Sequence, residues 1–137
     1  MIGHVKQIEP FGPFALDSRV TAVAVPSPAG ELSGLLTGPS APALVDGIPA
    51  ISAASSPDAA GENRALLVPG YTGSKEDYAP VLPFLGDAGW DVLAYSQRGQ
   101  GGSAAPAGLG AYGMSDFVND LIAVAEAWAG TSGRVHL

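Results

Sequence analysis

The sequence predicts an α/β domain: an antiparallel hairpin opens a sheet that continues as parallel strands with crossover helices. Three observations predict it. Residues 20–25, VTAVAV, alternate and are rich in β-branched side chains, the pattern of a strand with one buried face. Two short apolar runs, ALLV at 65–68 and WDVLAY at 90–95, each end in glycine-containing turns followed by helical sequence. Between the second run and RVHL at 134–137, Phe117, Leu121, Val124 and Trp128 recur at spacings of four, three and four, one stripe of a helix. After the hairpin the order is strand, helix, strand, helix, strand, which implies parallel pairing through right-handed crossovers.

Each element has a local reason. Pro26-Ser27-Pro28-Ala29-Gly30 is turn chemistry, so 31–36 returns as the second arm of the hairpin. From 37 to 63 the composition shifts to Ala, Pro, Ser and Gly, which predicts a long flexible surface connection with a short extended piece near Ile48–Ile51. ALLV lacks alternation, as expected of a strand covered on both faces. After it, Ser74-Lys75-Glu76-Asp77 has the form of a capping box. Pro80 forbids one continuous helix, so a single turn should give way to a helix starting near Pro80 that buries Val81, Leu82 and Leu85. Gly86 and Gly89 should close it. Ser115 is placed to cap the last helix and Gly130 to stop it. Residues 1–19 read as an N-terminal extension and 20–137 as one domain.

The chain has 137 residues, enough for one domain with a core and too few for two. Hydrophobic residues make up 47% and charged residues only 14%, which excludes a disordered polyelectrolyte. A net charge of −7, with six basic residues scattered at 6, 19, 64, 75, 98 and 134, argues against nucleic acid as a partner. The absence of cysteine excludes disulfides and thiolate metal sites and fits a reducing, cytoplasmic setting. The start, MIGHVKQIEPFGPF, has no apolar signal-peptide core, and no apolar run is long enough to span a bilayer.

Several motifs fail in context. Gly99-Gln100-Gly101-Gly102-Ser103-Ala104, with Asp120 downstream, matches a relaxed dinucleotide fingerprint, yet Ser96-Gln97-Arg98 separate it from the strand and no helix opens after it. Gly70-Tyr71-Thr72-Gly73-Ser74-Lys75 has neither the gap nor the Gly-Lys order of a phosphate loop. Ser74, Ser96, Ser103 and Ser115 include no serine in G-x-S-x-G. The two histidines, His4 and His136, lie near the chain ends with no ligand spacing, so neither a metal nor a catalytic base is indicated. No cofactor is expected. What remains is the turn after Val68. Gly70 permits a sharp bend at the carboxyl end of a strand, where open α/β sheets place ligands, and the N–H groups of Tyr71 and Thr72 would face that crevice. Such a pair suits a developing oxyanion. An ordinary strand-to-helix connection explains the same residues.

Three segments in order resemble the N-terminal half of the α/β-hydrolase family. LLVPGYTGSKEDY resembles its strand and H-G-x oxyanion turn, WDVLAYSQRGQGGS its next strand and D-x-R-G-x-G-x-S loop, and SDFVNDLIAVAEAW the helix before the nucleophile strand. The hairpin suits the family's opening antiparallel strands, and the likeness covers most of 20–137. The resemblance implies that Tyr71 gives a backbone N–H to the oxyanion hole, that Gly70 and Thr72 shape that turn, and that Arg98 and Gly99 organise the neighbouring loop. Pro69 stands where the family has histidine, and Ser96 where it has aspartate. In the family a strand like RVHL leads into the G-x-S-x-G nucleophile elbow, with the acid and histidine later still. The resemblance therefore implies the amino-terminal part of a serine hydrolase, acting on a small-molecule ester, amide or similar acyl substrate. The expectation is that this chain alone is inactive, marginally stable and dynamic at its C-terminus, and that a C-terminal half complements it. The rival expectation is a non-catalytic α/β binding or interaction module that offers the edge of its last strand. A nucleotide-binding domain is the third.

Overall fold

The computed structural model describes residues 16–39, 41, 48–51, 63–130 and 134–137. His4, the first fifteen residues of the expected extension and most of the 37–63 connection lie outside the described residues.

Strands β1 (Thr21–Ser27) and β2 (Gly30–Thr37) form the expected hairpin, in register from Thr21 opposite Leu36 to Ser27 opposite Gly30. The Ser27 hydroxyl closes its turn, donating to the Gly30 carbonyl at 2.9 Å and accepting the Ala29 amide at 3.1 Å. With β3 (Arg64–Leu67) and β4 (Asp91–Tyr95) the sheet has the order β1-β2-β4-β3. β4 runs antiparallel to β2 and parallel to β3. It is an interior strand, buried at every position. β3 departs from expectation: Leu66 is buried while Ala65 and Leu67 are half-buried, packing with Tyr78, Leu85 and Trp90 at the margin of the second core described below.

Both flanks of this sheet carry one further bridge. Ala24 pairs with Ala50, so the extended piece expected at Ile48–Ile51 runs beside β1. Ala65 pairs in parallel with His136, with the Leu66 amide on the His136 carbonyl at 2.8 Å and the His136 amide on the Arg64 carbonyl at 2.9 Å.

The two faces of the pleat feed separate cores. Val23, Val25, Leu32, Leu36, Leu66, Leu93 and Tyr95 pack with Val124 on one side. Val20, Leu35, Val92 and Ala94 pack with Ala79 and Leu82 on the other. The first face is covered by α2 (Met114–Ala129), the second by a 3-10 turn at Lys75–Tyr78 and by α1 (Leu82–Asp87).

Helix starts differ from the sequence reading. Pro80 belongs to the turn that leaves the 3-10 segment, and the proline in the first turn of α1 is Pro83. Leu82 is fully buried as expected, but Val81 is the N-cap residue and is exposed, and Leu85 is half-buried. Gly86 lies inside α1 instead of closing it. A Cβ there would sit 2.6 Å from the Thr37 Oγ1, so the missing side chain lets α1 approach the end of β2. Ser115 is not the cap of α2. The helix begins at Met114, two residues earlier than a Ser115 cap implies, capped by Gly113, whose N–H donates to the Asp116 carboxylate at 2.9 Å. At the 3-10 turn the same reach-back occurs, Asp77 accepting the Ser74 amide at 3.0 Å, while the Ser74 side chain makes no cap bond. Among the described residues no helix is long and apolar enough to cross a membrane.

Candidate functional site

β3 and β4 run parallel, so the turn after β3 (68–73) and the loop after β4 (96–103) emerge at the same end of the sheet. Hydrogen bonds stitch them together. The Gln97 side-chain amide donates to the Pro69 carbonyl at 3.0 Å, and that of Gln100 to the Tyr71 carbonyl at 3.4 Å. The Lys75 amide donates to the Ser96 hydroxyl oxygen at 3.0 Å, and its ammonium group to the Gly101 carbonyl at 2.8 Å. Gly101 has φ +45°, and a Cβ there would fall 2.4 Å from the Ser96 Oγ, so the loop closes over Ser96 only with glycine. Ser103 ties the loop back to the hairpin, its hydroxyl donating to the Ser96 carbonyl at 2.6 Å and accepting the Ser33 amide at 2.9 Å.

Inside the turn, carbonyls and amides are treated differently. The Tyr78 hydroxyl donates to the Val68 carbonyl at 2.7 Å, and the Gly73 amide to the Gly70 carbonyl at 3.0 Å. With the two glutamine bonds, every carbonyl from Val68 to Tyr71 has a donor. No acceptor among the described residues takes the amides of Gly70, Tyr71 or Thr72, and all three residues are exposed, Tyr71 at 84%.

Beneath the loop, Arg98 and Asp120 of α2 form a bidentate pair, Nε to Oδ2 at 2.7 Å and Nη2 to Oδ1 at 2.8 Å. They are 5% and 1% exposed. Arg98 Nη1 donates to the Ala111 carbonyl at 2.7 Å, and Asp116 lies 3.9 Å away. The hydrogen bonds from Arg98 to Asp120 raise the guanidinium pKa further above its ordinary value. Burial, reinforced by the Asp120 charge, pushes the Tyr95 phenol up to about 12. Burial favours the neutral form of Glu76, but hydrogen bonds from Lys75 and Ser74 outweigh it and hold the carboxyl below its ordinary value.

The sequence-derived residues therefore divide. Gly70, Tyr71 and Thr72 form the exposed turn, and Arg98 is the buried anchor of the facing loop. Gly99 sits at the surface beside the Tyr112 ring, its amide on the Ala104 carbonyl at 2.9 Å. Ser96, in the place of the family's aspartate, is fully buried and accepts the Lys75 amide. His136 packs edge-on against Trp90, with ring centroids 5.4 Å apart. Asp120, noticed only as the far acid of a failed fingerprint, is the partner of Arg98. The signal was available: it interrupts the apolar stripe of α2 between Phe117 and Val124, where a solvated acid does not belong. A recess of about 260 Å³ between Leu16, Arg19, Pro80 and Phe84 shares no residue with the turn or the loop.

A family model for the alpha/beta hydrolase fold matches residues 66–127, which hold the turn, the loop, Arg98 and Asp120. A curated protein of Variovorax paradoxus named "Putative carbamate hydrolase RutD" is 39% identical over 72 residues, covering 53% of this chain and 26% of that protein. Epoxide hydrolase A of Mycobacterium tuberculosis is 36% identical over 61 residues, 44% of this chain and 19% of its own length. Among solved structures, an epoxide hydrolase from an endophytic Streptomyces superposes with a TM-score of 0.63 at 27% identity, over 87% of this chain and 29% of that one. The chain thus spans about a quarter of the length of these relatives. By its mixed sheet, its helices on both faces and these matches, the chain has the α/β-hydrolase fold.

Proposed function

We propose that this chain forms part of a serine-type hydrolase that cleaves an ester, amide or related acyl bond, with the N–H of Tyr71 donating to the oxyanion. The supporting observation is the asymmetry of the turn: four successive carbonyls are engaged, while the amides of three successive exposed residues have no acceptor among the described residues. In this reading a nucleophile adds to the carbonyl carbon, and the electron pair moves onto the carbonyl oxygen. The turn's amides stabilise that charge until the leaving group departs and water releases the acyl group. Gly70 and Thr72 shape the turn, and Arg98 and Gly99 organise the loop beside it. The similarity to a protein named for carbamate hydrolysis supports an acyl-type substrate. The cysteine-free composition supports a cytoplasmic setting.

Nucleophile, acid and base are placed in a complementing C-terminal half, so the 137-residue chain alone has no hydrolase activity. Stoichiometric, heat-sensitive labelling of one serine by a fluorophosphonate would contradict this. In the complete enzyme Tyr71→Pro tests the oxyanion role directly. Tyr71 is the second residue of the Gly70–Gly73 turn, a position that accepts proline, so the substitution deletes the N–H with little change of backbone. The expected loss in kcat is roughly 10²–10³-fold.

A second reading, hydrolysis of an epoxide to a diol, is supported by the similarity to two proteins named epoxide hydrolases. A panel of p-nitrophenyl esters, aryl carbamates and styrene oxide separates the two. Turnover of styrene oxide alone would replace the acyl reading.

A further inference from the structure

We infer that Gln97, assisted by Gln100, is a positioning residue that aims the turn's N–H groups; the inference rests on the oxyanion reading above. A trans peptide is planar, so the C=O of one residue and the N–H of the next point in opposite directions. Holding a carbonyl therefore aims the following amide. Gln97 holds the Pro69 carbonyl and so aims the Gly70 amide, the Gly73 amide holds Gly70 and aims Tyr71, and Gln100 holds Tyr71 and aims Thr72. Two of these three ties come from side chains of one loop. The Gln100 amide bonds the Gln97 carbonyl at 3.0 Å, so both glutamines belong to one turn. Gln97 makes the stronger tie, at 3.0 Å against 3.4 Å.

The support behind Gln97 is rigid. Its neighbour Arg98 is locked by Asp120 and the Ala111 carbonyl, and Ser96 on its other side is fixed by Ser103, Ser33 and the Lys75 amide. Pro69 has no side-chain donor of its own to fix the turn. The loop opposite supplies the donor instead.

The test measures backbone order in the 15N-labelled 137-residue chain. Gly70, Tyr71 and Thr72 should show order parameters near the rigid value of about 0.85 in the native protein. Gln97→Leu removes the donor and should lower them below about 0.6, with the Arg98 Nε–H resonance unchanged as a marker of the intact loop. Gln97→Glu keeps the side-chain shape, sets an acceptor against the Pro69 carbonyl and should do the same; it keeps the test decisive if the leucine variant does not fold. Native order in both variants would overturn the inference. In the complete enzyme, Gln97→Leu should reduce kcat about 10–100-fold with KM little changed. Loss of turn order with kcat unchanged would leave Gln97 as a brace of the turn and overturn its catalytic positioning, together with the oxyanion role of the turn.

Discussion

Arg98 and Arg19 each grip one aspartate through two nitrogens at 2.7–2.8 Å, and they do so in opposite environments. The Arg98–Asp120 pair is buried and joins the loop after β4 to α2 across 22 residues of sequence. The Arg19–Asp17 pair is made two residues apart in the open, with side chains 45% and 36% exposed, and Arg19 also contacts Asp87. Hydrogen bonds from Arg19 hold the Asp17 carboxyl well below the usual range, yet solvent screens that interaction. Similar geometry carries different consequences, because water compensates for a broken pair only where water can reach it.

Removing one buried partner should have the largest effect. Asp120→Ala leaves the buried guanidinium with only the Ala111 carbonyl and the long 3.9 Å contact to Asp116, and should destabilise the fold by about 3–5 kcal/mol in urea or thermal unfolding. The double replacement Arg98→Met with Asp120→Leu sharpens the point: it should recover most of that loss, since the charges were expensive to bury. If the double variant is as unstable as the single one, the pair contributes organisation that apolar packing does not replace.

Next comes an alkaline effect from Tyr95, which lies on the same face of the sheet as α2. Its folded pKa of about 12 exceeds the ordinary value of 10.0, so between these values the folded state holds a proton that the unfolded chain has lost. Stability is unaffected below pH 10 and falls as pH rises from 10 to 12, by roughly 2–3 kcal/mol in total. Tyr95→Phe should flatten that part of the pH–stability curve. The smallest effect belongs to the exposed pair: Arg19→Ala should shift the urea midpoint least, and raised salt should abolish the difference.

What the sequence discloses follows the range of the interactions. The hairpin was legible because alternation and turn chemistry are local, and α2 because a helix stripe repeats within sixteen residues. The starts of the helices were not. Pro80 and Pro83 both satisfy the rule for a first-turn proline, and Asp116 reaches back to Gly113 where Ser115 offered a cap of its own. The turn at Gly70 was visible as a backbone bend. Two of its four carbonyl ties were not, because Gln97 and Gln100 act across 28 and 29 residues of sequence. Asp120 entered only as the far acid of a failed fingerprint, because its partner Arg98 lies on another element.

The short pairing of His136 with β3 has a further consequence. With the Leu66 amide and the Arg64 carbonyl already engaged, a second molecule can pair with that part of β3 only if residues 134–137 are first peeled away. A strand added while that bridge is intact would meet residues 134–137 first, so this four-residue segment shields the middle of the β3 edge.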